Sequence, residues 1–119
     1  MKVFLELALQ FSATIYGLHE KNCGDIGKPI PCAKGAVTAS GQHFDPDLAT
    51  AAIPAPTNRI MRPFYVCILS REGKPVHILV NDKTHPRWIG KRGLDLTPGA
   101  WKALGYEPTR SHSAKLEGC

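Results

Sequence analysis

The 11 glycines and 10 prolines of this chain are scattered along its length rather than gathered in a linker. Each Pro removes a backbone donor and each Gly relaxes the backbone, so few stretches are left for a long regular element. The pattern predicts many short elements joined by tight turns and argues against a helical bundle. With 119 residues and 43% apolar content, the chain can bury one real core. One domain is expected over residues 1–106, followed by a polar, loosely held tail over 107–119.

The clearest element is F-Y-V-C-I-L-S (64–70). With the turn R-E-G-K (71–74) and the returning run P-V-H-I-L-V-N-D (75–82), it predicts a β-hairpin that ends on Asp82. Gly93-Leu94-Asp95-Leu96 reads as another short strand. Thr97 is placed as a helix N-cap with Pro98 at the first helical position. The helix P-G-A-W-K-A-L buries Trp101 and Leu104 and is stopped by Gly105. Earlier in the chain, residues 3–16 read as a strand, with a helix over 2–11 as the competing reading. Residues 17–35 are loop. A-V-T-A-S (36–40) is a short extended segment closed by Gly41. Asp45-Pro46-Asp47 starts a turn into L-A-T-A-A, which Pro54 and Pro56 end. Residues 83–92 form a basic, irregular loop. Five or six short strands and one or two short helices make an all-β, β-dominated domain, best accommodated as a small closed barrel that hides its strand edges.

The formal charge is +5, from 15 Lys and Arg against 10 Asp and Glu. It favours a polyanionic partner: nucleic acid, an anionic lipid surface or a bacterial cell-wall polymer. No Lys/Arg run is long enough for a nucleic-acid tail, and the aromatics are not interleaved with basic residues, so nucleic acid is not expected. The opening M-K-V-F-L-E-L-A-L-Q-F-S-A looks superficially like a secretory signal. Glu6 interrupts it and its apolar arms are far too short for a membrane span, so it reads as structure, without membrane insertion.

Cys23, Cys32, Cys67 and Cys119 allow three pairings. Cys23 and Cys32 flank C-G-D-I-G-K-P-I-P-C and are the favoured pair. Cys67, inside an apolar run, reads as a free buried thiol, and Cys119 as mobile. A zinc site of His19, Cys23 and Cys32 matches no standard finger, so no metal and no cofactor is expected.

Four stretches resemble, in order, segments of the double-psi β-barrel superfamily. A-T-I-Y-G (13–17) looks like the first strand motif of expansins and of the rare lipoprotein A family. T-A-S-G-Q-H-F-D (38–45) with L-A-T-A-A (48–52) resembles a rare lipoprotein A block, and T-A-S-G is typical of the three-aspartate (3D) domain. V-N-D (80–82), G-L-D-L-T (93–97) and a helix ending in L-G (104–105) resemble a third segment of these proteins. The resemblance covers roughly residues 13–105. It implies a six-stranded double-psi barrel with an open cleft. It also implies action on peptidoglycan, as in rare lipoprotein A and membrane-bound lytic transglycosylase A, which leave a 1,6-anhydro sugar end. The chain departs from rare lipoprotein A at Gln42, where that family has Glu, and at Ile53, where it has His.

A lytic transglycosylase needs one carboxyl group of raised pKa, because the sugar's own 6-hydroxyl attacks. Asp82 and Asp95 are the candidates, with Asp82 favoured as acid/base and Asp95 in support. Were the two close, mutual repulsion and partial burial would keep one protonated. Taken alone, Asp82 is also an ordinary turn former and Asp95 an ordinary acceptor of backbone N–H groups. Asp45, Tyr16, Thr14, Thr38, His43, His85 and Trp88 are the candidate substrate-binding residues. The expected function is therefore a monomeric peptidoglycan lytic transglycosylase. The lack of a clean signal peptide and of an anchoring lipid cysteine points to a bacteriophage-type lysin acting on the cell wall. The rivals are an expansin-like polysaccharide-binding module and a phage structural protein.

Overall fold

A computed structural model describes residues 10–16, 37–56, 61–84, 86–90, 93–108 and 114–119. The fold is strand-dominated, as expected. Six strands form one mixed sheet: β1 (Gln10–Ile15), β2 (Thr50–Pro54), β3 (Phe64–Leu69), β4 (Pro75–Thr84), β5 (Leu94–Leu96) and β6 (Ala114–Glu117). Its spatial order is β3-β4-β2-β5-β1-β6. The pairing reads alike from both ends. At the centre β2 and β5 are antiparallel; next, β4 runs parallel to β2 and β1 parallel to β5; outermost, β3 and β6 are antiparallel to their neighbours. The sheet curls into a half-barrel, and its edges meet where Ile68 of β3 bridges Gly118, just past β6.

The hairpin forms where the apolar runs predicted it, with Phe64 opposite Val80 and Leu69 opposite Pro75. Gly73, at φ 80°, takes the left-handed turn position that a side chain would strain. Strand β4 continues through Thr84, so Asp82 lies inside the strand and does not end it. The segment 36–40 is less extended than expected. Of its described residues only Val37 pairs, with His43, and a tight turn at 38–41 separates the two.

The single short helix among the described residues, α1 (Pro98–Ala103), starts as its signals dictate. The Thr97 hydroxyl accepts from Ala100 N at 3.2 Å, and Pro98 needs no partner for a missing N–H. Trp101 and Leu104 are fully buried against Ile68, Ile78, Val80, Leu94 and Leu96, which forms the core. The Trp101 indole N–H donates to Thr14 O at 3.1 Å, tying the helix to β1.

The tail is not loose at its end. Residues 114–117 pair with β1, Leu116 is buried, and Cys119 is disulfide-bonded to Cys67. The readings of Cys67 as a free thiol and of Cys119 as mobile are therefore corrected. Nothing within the run 64–70 could reveal a partner 52 residues away. Cys23, Cys32, His19 and the opening residues 1–9 lie outside the described residues.

Candidate functional site

One row of register partners crosses four neighbouring strands. Asp82 of β4 pairs with Ala52 of β2, Ala52 pairs with Asp95 of β5, and Asp95 pairs with Thr14 of β1. Adjacent strands lie about 4.8 Å apart, so the two aspartates stand about 10 Å apart at Cα, with only a methyl group between them. Register partners share a face. Ala13, Ala51, Leu94 and Leu96 belong to the core, so the row Thr14, Ala52, Asp95 lies on the opposite face.

A bulge brings Asp82 into this row. Val80 is a core residue, and simple alternation would send Asp82 to the same side. The register slips instead: Ala51 faces Val80 while Ala52 faces Asp82, leaving Asn81 as the extra residue. A one-residue slip reverses the face of every later residue in the strand, so Asp82 joins Asp95. Asn81, 4% exposed, sends its side-chain N–H to Gln42 Oε1 at 3.1 Å, and its main-chain carbonyl accepts from Ser40 N at 3.2 Å.

The T-A-S-G-Q turn docks on this bulge. Thr38 N donates to Gln42 O at 2.8 Å and Gly41 N to Thr38 O at 2.9 Å, closing the turn. The closure presents Ala39 N to Asp82 Oδ1 at 2.9 Å, and Lys83 N reaches the same oxygen at 2.9 Å. Asp82 Oδ1 is thus held by two backbone donors. Burial raises the Asp82 pKa, and the two N–H groups of Ala39 and Lys83 oppose that rise. Repulsion from Asp95 is not among the causes, so the expected mutual repulsion gives way to desolvation.

Asp95 is 6% exposed and accepts the Thr14 hydroxyl at Oδ1. Tyr16, two residues past Thr14, continues on the same side. Its ring packs on Phe44 with centroids 5.5 Å apart. Burial pushes the phenol pKa far above its ordinary value, followed by the charges of Asp82 and then Asp95, against a smaller opposing effect of Thr50. The phenol is therefore neutral and close to both carboxyl groups. Tyr16 Oη and Thr50 Oγ1 are buried with no hydrogen-bond partner of good geometry among the described residues. Two hydroxyls without a partner of good geometry thus lie close to two carboxyls in one buried polar cluster, an arrangement that calls for an explanation.

The other candidates fall elsewhere. Thr38 is buried and braces the docking turn through Ser40 Oγ at 2.9 Å. Asp45 accepts Asp47 N at 3.0 Å and forms the turn before β2, which is its turn-starter reading. His43 is exposed on the bridge to Val37. His85 lies outside the described residues. The backbone of Trp88 closes a 3-10 turn, Pro86–Trp88, while its side chain lies outside them. Ile53 and Lys83, one step beyond Ala52 and Asp82, line a shallow depression of about 250 Å³ with Met61, Arg62 and Phe64. The contributions of Asn81, Phe44 and Thr50 were not foreseen. The one local hint was an Asn at the end of an apolar run, where a buried amide demands partners. No group of three His, Cys, Asp or Glu that could hold a metal ion occurs among the described residues.

The chain matches no protein-family model and no curated protein.

Proposed function

We propose that this protein is a double-psi β-barrel lytic transglycosylase that cleaves the glycan strand of bacterial peptidoglycan, with Asp82 as general acid/base. The observation that carries this reading is the state of the Asp82 carboxyl. One oxygen is fixed by Ala39 N and Lys83 N, and burial raises the pKa of the group. An anchored carboxyl that holds its proton more firmly than an ordinary carboxylate does is suited to protonating a glycosidic oxygen. Asp95 sits two strands away with its orientation set by Thr14, and supports the developing positive charge on the sugar ring. Tyr16, a neutral phenol with no hydrogen-bond partner of good geometry among the described residues, binds a sugar hydroxyl beside the two carboxyls. Asp82 gives its proton to the leaving oxygen. It then accepts the proton of the sugar's 6-hydroxyl as that group closes the 1,6-anhydro ring, so no water and no second catalytic carboxylate are consumed. The like-ended strand pairing supports the double-psi assignment, because the motif-bearing segments other than 38–45 fall mainly on β1, β2, β4 and β5 at its centre.

A second reading is favoured by one observation. Gln42 stands where rare lipoprotein A has Glu, and its side chain is engaged with Asn81. A site with no carboxyl there fits an expansin-like module that binds glycan without cutting it. Incubation with purified cell walls separates the two. Clearing of turbidity with anhydro-muropeptides by mass spectrometry supports cleavage. Retention on insoluble wall with no such product leaves only the binding module.

A further inference from the structure

We propose that the Cys67–Cys119 disulfide is a redox-controlled latch that fastens β6 and, through it, the strand carrying Thr14. The bond joins the two edges of the sheet. Cys67 lies in β3 and Cys119 just past β6, and the backbone seam between them is short: the single-residue Ile68–Gly118 bridge, which includes the hydrogen bond from Cys119 N to Cys67 O at 3.0 Å. The rest of what holds β6 is modest. It has four residues, pairs only with β1 along its length, and buries one side chain, Leu116. A short edge strand with so little burial frays readily unless tied down. The disulfide ties it across a sequence separation of 52 residues, where chain entropy makes an unlinked encounter unfavourable.

The latch bears on the site through β1. That strand lies between β6 and β5 and carries Thr14 and, just beyond, Tyr16. With β6 released, β1 becomes an edge strand, paired on one side alone, with β5, at three register positions. Reduction by a dithiol converts Cys67 and Cys119 to two thiols while the dithiol becomes a disulfide, two electrons and two protons passing to the protein. The chain is then locked in oxidising surroundings and loose-ended in reducing ones. This holds whether or not the cleavage reaction proposed above is correct.

Hydrogen–deuterium exchange read by mass spectrometry tests it, on the full chain with and without dithiothreitol. Reduction is expected to speed exchange at least tenfold in 114–119 and severalfold in 10–16, leaving the central β2 and β4 unchanged. The double variant Cys67→Ser/Cys119→Ser should show the reduced pattern without reductant and should not respond to it, which separates this bond from any effect at Cys23 and Cys32. Unchanged exchange in 114–119 on reduction would overturn the proposal. So would uniform acceleration across all strands, because the bond would then be a general staple rather than a latch on β6.

Discussion

Thr14 donates its hydroxyl proton to Asp95 Oδ1 across the parallel pairing of β1 and β5, where the two are register partners. Asp95 is nearly buried, so each hydrogen bond it receives offsets a desolvation cost that water would otherwise meet. Thr14→Val keeps the β-branched shape that suits the strand and removes only the donor. The expected loss is about 1–3 kcal/mol of stability, read from urea unfolding. A loss near zero would mean that Asp95 is satisfied without Thr14.

Gly99 shows how tightly the turn before β2 is clamped to α1. Its N–H donates to Pro46 O at 2.8 Å, and a methyl group there would collide with the backbone carbonyls of Asp47 and Leu48. Backbone cannot swing aside as a flexible side chain does. Gly99→Ala is expected to destabilise the fold by about 1–3 kcal/mol. Gly41→Ala, where nothing lies within contact distance, makes the control: its cost comes only from a positive φ of 87°. Thermal unfolding of both variants distinguishes collision from backbone strain.

What could be read from the sequence was local, and what could not was set by partners far along the chain. Thr97, Pro98 and Gly105 each act within one turn of helix, so their roles come from neighbours alone. The hairpin comes from two apolar runs and one glycine turn. The face of Asp82 does not, because V-N-D alternates as an ordinary strand end. Only the pairing of β2 with β4 inserts Asn81 as a bulge and turns Asp82 toward Asp95. The tail misled for the same reason: A-K-L-E buries Leu116 and packs Ala114 against the core, and becomes a strand because β1 offers an open edge. The motifs singled out Asp82 and Asp95 but left open whether they share a face, and they gave no sign of the bulge that aligns them.

Tyr16 separates a structural tyrosine from one kept for binding. Its hydroxyl is buried with no hydrogen-bond partner of good geometry among the described residues, so Tyr16→Phe removes a group that burial penalises while preserving the ring contact with Phe44. Stability is expected to stay level or rise slightly, by up to about 1 kcal/mol. Binding to insoluble cell wall is expected to weaken about tenfold, equal to about 1.4 kcal/mol for one lost hydrogen bond to a sugar hydroxyl. Unchanged wall binding in a protein of unchanged stability would assign Tyr16 to packing alone.

Asp82 makes the strongest case, because its role in stability and its role in chemistry predict opposite responses. Burial raises its pKa above the ordinary carboxylate value, so the folded state favours the protonated form. The stability this group contributes is full below its unfolded pKa and is lost as pH rises through the folded one. As pH rises that contribution is lost from the parent and not from Asp82→Asn, whose uncharged amide oxygen can still accept from Ala39 N and Lys83 N. The variant is expected to be more stable than the parent at pH 7, with the difference vanishing below about pH 3, where both side chains are uncharged. Its wall-clearing rate should fall by about 10²–10⁴-fold, the usual contribution of a general acid. In the parent that rate should decline on the alkaline side with an apparent pKa above the ordinary carboxylate value. A variant that is stabilised yet clears walls at the parental rate would leave Asp82 a strained structural residue and move the search for the acid to Asp95.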